Sequence, residues 1–361
     1  MSRAVVFPFV FLSLLASGLI VVESVFAAGD SWVTKAPMQE ARYGLGVAVV
    51  NEKIYAIGGQ TGLPSVGYSI LNVTEEYDPA TDTWSYKTPM PTARTEFGIA
   101  VYENKIYCIG GYGDPEYVGL GTNEVYDPAT DTWETLASLP TPRWDVQANV
   151  LLGRIYVVGG DSSVIEVYNP KKDSWITKEP TPSTYIECFC VSGVVNNKIY
   201  VLGPGDENRI YDPLTNSWST GSSKPSPAYQ VSGAATTGVN GAKRIYVFGI
   251  TQNYWVQTVP DFVTLIYTPE TNSWSYGAVM KTGRIIAGVA VVNDVFYVIG
   301  GETPSMFMLN QRSAENEQYT PADYVPEVPI PEFPSLIVLP LFFVATLFAI
   351  IAKERAFCFK H

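Results

Sequence analysis

YDPATDTW, Tyr77 to Trp84, recurs letter for letter at Tyr126 to Trp133. An identical octapeptide rich in turn-forming residues, at two places in one chain, points to an internal repeat. Diverged copies follow: VYNPKKDSW ends at Trp175, IYDPLTNSW at Trp218 and IYTPETNSW at Trp274. Tyrosine, proline and tryptophan persist through all five, while the first Asp varies to Asn or Thr. The constant residues are those that turn the chain and supply a large apolar face. A catalytic or metal role would tolerate the Asp variation poorly, so Asp78, Asp82, Asp127 and Asp131 read as turn formers.

Upstream of each copy lies a second constant element: KIYAIGG (53–59), KIYCIGG (105–111), RIYVVGG (154–160), KIYVLGPG (198–205), RIYVFG (244–249) and FYVIGG (296–301). An apolar strand such as GVAVV, a tight turn such as NEK, a β-branched strand ending in Gly-Gly, a variable loop, a strand ending Tyr-Asp-Pro and a strand opening at Trp make one four-stranded meander. That is the size and pattern of a propeller blade. The sixth unit ends at Gln318-Tyr319-Thr320-Pro321 with no Trp after it, while Asp30-Ser31-Trp32 stands before the first unit with no blade of its own. The spacing therefore predicts an all-β, six-bladed propeller in which the strand at Trp32 completes the last blade and closes the ring.

These motifs resemble the Kelch-repeat family over about Ser31 to Tyr319: Tyr before Asp-Pro, the Gly-Gly doublet, the Trp spacing, and Arg42, Arg94, Arg143 and Arg284 near the start of their blades. Units four and five depart from it, with Gly203-Pro204-Gly205 and Gly249-Ile250 in place of the doublet and no arginine.

The ends carry their own signals. Arg3, an apolar run from Ala4 to Val22 and the small-residue pattern before Ala28 read as a signal peptide over 1–27, followed by the propeller over 28–320. Residues 321–334 are a Pro-rich linker. Residues 335–352 hold no charge and suit a single transmembrane helix, with the basic tail 353–361 expected to stay cytoplasmic and the propeller extracellular. Pro331-Glu332-Phe333-Pro334 ahead of that run is similar to a C-terminal surface-sorting signal of archaeal secreted proteins, an anchor that is processed in some cases. Cell-membrane localisation with the propeller outside is the expectation.

Composition narrows the function. A formal charge of −12 with no basic stripe argues against nucleic acid. The single histidine is His361, so a Ser-His-Asp triad and His-ligated zinc or copper are excluded from the propeller, and no metal site or cofactor is expected. Four cysteines give no disulfide framework, though a bridge from Cys108 to Cys188 or Cys190 stays open. Glu96, Asp145 and Glu187 lie just past the blade starts, in the connection to the innermost strand. The resemblance puts that connection and the loop after Gly-Gly at one mouth of the central channel. There the acids, with Arg143, would serve either as a catalytic set, as in the Kelch-type sialic-acid mutarotases, or as rim charges paired to Arg94 and Arg143.

Aromatic residues share the connection: Tyr43, Trp144, Tyr185 and Tyr229. With Arg94, and with Trp255 in the long loop of unit five, they form the expected ligand-binding set for a cell-surface protein or glycan. The alternatives are a sugar-acting enzyme and a structural surface-layer component. The loops after the second strand are long in units one, two, five and six. Asn72-Val73-Thr74 is an N-glycosylation sequon at Asn72.

Overall fold

The computed structural model describes residues 29–326 except 64–66, 114–117, 161, 179, 181–189, 205, 252–261 and 305–310. Six four-stranded antiparallel sheets form the six blades. The first contains Gly46–Val50, Lys53–Ile57, Thr74–Asp78 and Thr83–Lys87, counted from the inner strand outward. The next four repeat this meander in chain order.

Blade six takes Gly288–Val292, Val295–Ile299 and Asn316–Thr320 from the end of the propeller, and its outer strand Ser31–Lys35 from the beginning. Trp32 stands opposite Tyr319 in that pairing, where the sequence placed it. Joining first strand to last buries an edge that would otherwise offer unpaired N–H and C=O groups to another chain.

Alternation along the strands explains why the core is divided. Each blade presents apolar residues to both neighbours, and the buried side chains fall into clusters that lie between consecutive blades. Between blades six and one, for example, Val47, Ile54 and Tyr77 pack on Ala290, Tyr297 and Ile299. Burying one such side chain contributes roughly 1.5–3 kcal/mol.

The opening octapeptide does more than turn the chain. Tyr77 donates its hydroxyl hydrogen to Asp82 Oδ1 at 2.6 Å, and the same oxygen accepts from the Ala36 N–H at 2.9 Å. Trp84 Nε1 donates to the carbonyl of the same Ala36 at 2.7 Å. Ala36 belongs to the connection that leaves blade six, so the motif of one blade clamps the preceding blade by both polar groups of a single residue.

The pattern repeats at Thr88 (Asp131, Trp133), Ala137 (Asp173, Trp175), Ser222 (Asn272, Trp274) and Ala278 (Asp30, Trp32). Asn serves where Asp is absent because only an acceptor oxygen is needed.

The Gly-Gly doublets supply a second tie. Gly59 lies at φ 97° and Gly111 at φ 92°, a region that favours glycine. Their N–H groups donate to Arg94 O and Arg143 O in the next blade at 3.0 Å each. A Cβ on Gly59 would come within 2.8 Å of Tyr43 O.

Cys108 and Cys190 are both buried free thiols, so no bridge joins them, and Cys188 lies outside the described residues. Among the described residues no helix is long and apolar enough to cross a membrane. The segments read as signal peptide, transmembrane helix and basic tail lie outside the described residues, as does most of the linker.

Candidate functional site

The inner strands surround a cavity of about 150 Å³ to which all six blades contribute, through Leu45, Glu96, Asp145, Cys190, Ser232 and Ile286 among others. Its lining mixes apolar side chains such as Val47, Ile99 and Val231 with polar ones, Gln147 and Ser232 among them.

The mouth is organised by backbone. Gly44, Glu96, Asp145 and Ile286 occupy the same place in their blades, two residues before or at the entry to the inner strand, and all have φ between 51° and 63°. Three of them turn the N–H toward the blade before: Gly44 donates to Ile286 O at 3.2 Å, Glu96 to Gly44 O at 2.8 Å and Asp145 to Glu96 O at 2.7 Å. Side-chain-bearing residues hold this left-handed conformation at a cost of about 1–3 kcal/mol, and such positions concentrate at functional sites. The result is a short run of peptide links around the mouth, with the Glu96 and Asp145 side chains lining the cavity.

The two acids are in unlike surroundings. Asp145 is buried. Glu96 keeps some accessible surface, lines the cavity, and makes no side-chain hydrogen bond or ion pair among the described residues. Burial raises its pKa to about 8, reinforced by the charges of Asp145 and Glu302. At neutral pH Glu96 is therefore mostly a protonated acid, able to donate a hydrogen bond.

Glu302 follows the blade-six doublet and is buried. Its carboxylate meets Arg312 at 2.6 Å, and the Arg312 guanidinium lies over the Tyr43 ring at 4.1 Å with Tyr68 at 5.7 Å. Burial raises the pKa of Glu302, and the Arg312 charge opposes this. Trp144 is half-buried and meets Tyr112 edge-on at 5.7 Å, while the Tyr112 hydroxyl donates to Gln60 Oε1 at 2.9 Å. Tyr43 pairs with Gln60, Thr95 with Tyr112 and Ile285 with Glu302 in isolated bridges, so the blade-start connections and the post-Gly-Gly loops share one face.

Arg94 is placed differently from the expectation that it contacts a ligand. It is fully buried inside its blade, bonded to Glu124 at 2.7 Å and to Cys108 O at 2.9 Å. Arg42 with Glu75, Arg143 with Glu166 and Arg284 with Glu317 repeat the arrangement. The arginines therefore do not pair with Glu96 and Asp145, because each guanidinium is consumed by a glutamate two residues before the blade tyrosine. Blade five replaces the pair with Ala228 and Leu265, both fully buried.

Tyr229 is half-buried at the start of the strand Tyr229–Ala235, whose register shifts between Tyr229 and Ser232. Asn72 is half-buried, and its carbonyl accepts from the Met90 N–H at 2.8 Å. Tyr185, Glu187 and Trp255 lie outside the described residues.

Gln60, Tyr112, Glu302, Arg312 and Tyr68 were not among the sequence candidates. The first three directly follow a Gly-Gly doublet, which is the signal that would have found them.

Residues 28–205 match the KLHDC2/KLHL20/DRC7 Kelch-repeats domain. Among curated proteins the chain is 34% identical over 100 residues to Kelch-like protein 28 of Homo sapiens, a match spanning 27% of this chain and 18% of that protein. It is 28% identical over 209 residues to Kelch repeat and BTB domain-containing protein 12 of Homo sapiens, covering 53% of this chain and 27% of the relative. The matches thus span about a quarter or less of those proteins. Among solved structures, that of YjhT superposes with a TM-score of 0.61 at 16% identity, covering 78% of this chain and 95% of that one, a likeness of fold.

Proposed function

We propose that the chain, whose residues 28–205 match a Kelch-repeats domain, is a binding module that captures a protein partner on the face formed by the blade-start connections and the post-Gly-Gly loops. Kelch propellers typically bind proteins, and the observation that carries the assignment to this face is its construction. Half-buried Trp144 and buried Tyr43 directly precede the cavity-lining Asp145 and Gly44, the Arg312 guanidinium lies over the Tyr43 and Tyr68 rings, and Glu96 lines the cavity itself. Aromatic rings and arginine beside a desolvated pocket have the composition of interface anchors. The opposite turns, by contrast, carry the inter-blade clamps.

The apolar segments at the two ends support placing this module outside the cell on a C-terminal membrane anchor, with a glycan on a surface protein as an alternative target for the same rings. The test is capture from a displayed library of cell-surface proteins and a glycan array, using full-length chain and its Trp144→Ala and Trp255→Ala variants. Loss of the captured partner with either variant supports this face. Retention of full affinity by both overturns it.

One observation favours a second reading as a sugar-acting enzyme. Glu96 and Asp145 are neighbouring carboxyls in unlike environments, the condition under which one acts as acid and the other as base. Proton-exchange and mutarotation spectra of free sugars, sialic acid included, test it: catalysis abolished by Glu96→Gln supports it, and spectra unchanged by added protein dismiss it.

A further inference from the structure

Resting on the binding role proposed for this face, we infer that the mouth of the channel takes one organic cation, a lysine or arginine side chain or a chain-terminal amine of the protein partner, against the Glu96 carboxyl. Asp145 and Glu302 both lie close enough to Glu96 to raise its pKa, and among the described residues the guanidinium beside them, Arg312, is paired with Glu302. Arg312 is committed to Glu302 at 2.6 Å and stacked on Tyr43, with 6% of its side chain exposed. Glu96 is left without a hydrogen-bond or ion-pair partner among the described residues although it lies in the desolvated mouth. A buried carboxyl without a partner is costly, and a cation supplied from outside relieves both the desolvation and the repulsion.

The chemistry around Glu96 selects the kind of cation. Among the described residues no three acids converge on one metal position. On the same face, Trp144 and Tyr43 directly precede the cavity-lining Asp145 and Gly44, with Trp144 edge to face with Tyr112 and Tyr43 under Arg312. Rings beside a carboxylate suit an alkyl stem ending in an ammonium or guanidinium, which packs its methylenes on the rings and its head on the acid.

The occupant's charge converts Glu96 from acid to carboxylate, so binding at neutral pH releases a proton. That release separates this site from general attraction to an acidic protein. The groups facing Glu96 are Asp145, Glu302 with Arg312, and the phenol of Tyr43. Of these, Glu96 is the one whose pKa is placed at about 8.

The experiment titrates full-length protein with acetyl-Gly-Lys-Gly-amide and with the neutral acetyl-Gly-Gln-Gly-amide, by calorimetry in buffers of different ionisation enthalpy at pH 7. The lysine peptide is expected to bind, to release close to one proton per site, and to lose at least about tenfold in affinity in Glu96→Gln. Glu103→Gln, an exposed acid in a turn at the other end of its blade, is expected to leave both unchanged. Equal affinity for the two peptides, or a lysine affinity that Glu96→Gln does not alter, overturns the inference. Partner capture that survives Glu96→Gln but is lost in Trp144→Ala overturns the cation site alone and leaves the binding role standing. Lysine binding intact with no Trp144-dependent capture overturns the binding role instead.

Discussion

Trp84 donates its indole N–H to the carbonyl of Ala36 at 2.7 Å, across the boundary between two blades. With Asp82 accepting from the N–H of the same residue, one alanine is fixed by both of its backbone groups. The side chain and the hydrogen bond can be separated by mutation. Trp84→Phe keeps most of the ring and is expected to cost about 1 kcal/mol, the net value of one hydrogen bond. Trp84→Ala also removes packing against Tyr77, whose ring centroid is 5.0 Å away, and is expected to cost about 3 kcal/mol. Urea unfolding checks both, and a Trp84→Phe variant as stable as wild type would refute the clamp.

The buried arginine–glutamate pairs invite a different comparison. Arg94→Met strands Glu124 inside the blade and is expected to destabilise by about 3–5 kcal/mol. Arg94→Met with Glu124→Leu recreates the apolar solution that blade five already uses at Ala228 and Leu265, and should recover most of that loss. A double variant no more stable than the single one argues that the pair also positions the backbone it touches at Cys108 O.

Blade four holds a charge exchange. Counting four residues back from the strand Val191–Val195 puts Glu187 where blades one, two, three and six have arginine, and Arg209 stands two before Tyr211 where they have glutamate. In the described structure Arg209 meets Glu207 at 2.6 Å, and its Nη1 is buried without a hydrogen bond among the described residues. Arg209→Glu alone is expected to lower the melting temperature, and adding Glu187→Arg to restore it toward wild type. Additive losses in a double-mutant cycle would show that the two positions do not communicate.

Glu96 sets a pH dependence whose sign follows from its raised pKa. An acid with a folded-state pKa near 8, against about 4.3 for a free glutamate, holds its proton more tightly folded than unfolded. Its contribution to stability is fully present below the unfolded value and is lost as pH rises through about 8. Glu96→Gln should therefore be more stable than wild type at pH 9, by no more than a few kcal/mol on the order of the pKa shift, and indistinguishable near pH 4. Thermal melts of both proteins across that range decide it; parallel curves would place the Glu96 carboxyl in water.

Acid should act oppositely on the clamps. The Asp82 pKa is lowered by the Tyr77 hydroxyl first and the Ala36 N–H second, and Asp131 is lowered likewise, the Tyr126 hydroxyl and Thr88 N–H outweighing burial. Their stabilisation is present above the unfolded aspartate pKa and falls away as pH drops through the lowered values. Asp82→Asn, which keeps the acceptor that Asn272 supplies elsewhere, is expected to flatten the acid limb of the stability curve. An unchanged acid midpoint would remove Asp82 from the account.

Much of this architecture is legible in the residues. Repetition fixes the blade, and one tryptophan too early with one too few at the end is enough to predict how the ring closes. The arginine–glutamate pairs are not legible in that way, because the partners stand far apart in sequence, Arg94 from Glu124 for example, and only the curl of a blade brings them together. The same long-range pairing makes Arg94 look like a ligand residue when it is interior. Glu187 illustrates a second limit: its distance from the blade start can be counted only once the strand Val191–Val195 is fixed, and that count moves it from the company of Glu96 and Asp145 to the arginine position. Glu302 is marked only by its place after the doublet, and Arg312 escaped notice because a lone ion-pair partner has no signature in a variable loop.

The closure has a mechanical consequence. The last strand, Asn316–Thr320, is hydrogen-bonded on one side to Val295–Ile299 and on the other to Ser31–Lys35. Tension arriving through the residues after Thr320 therefore pulls along an interior strand flanked by two ladders, loading many hydrogen bonds together in shear. An outermost terminal strand would peel away one bond at a time. Whatever holds the C-terminal end, the chain is built so that a force applied there grips the ring instead of unravelling it.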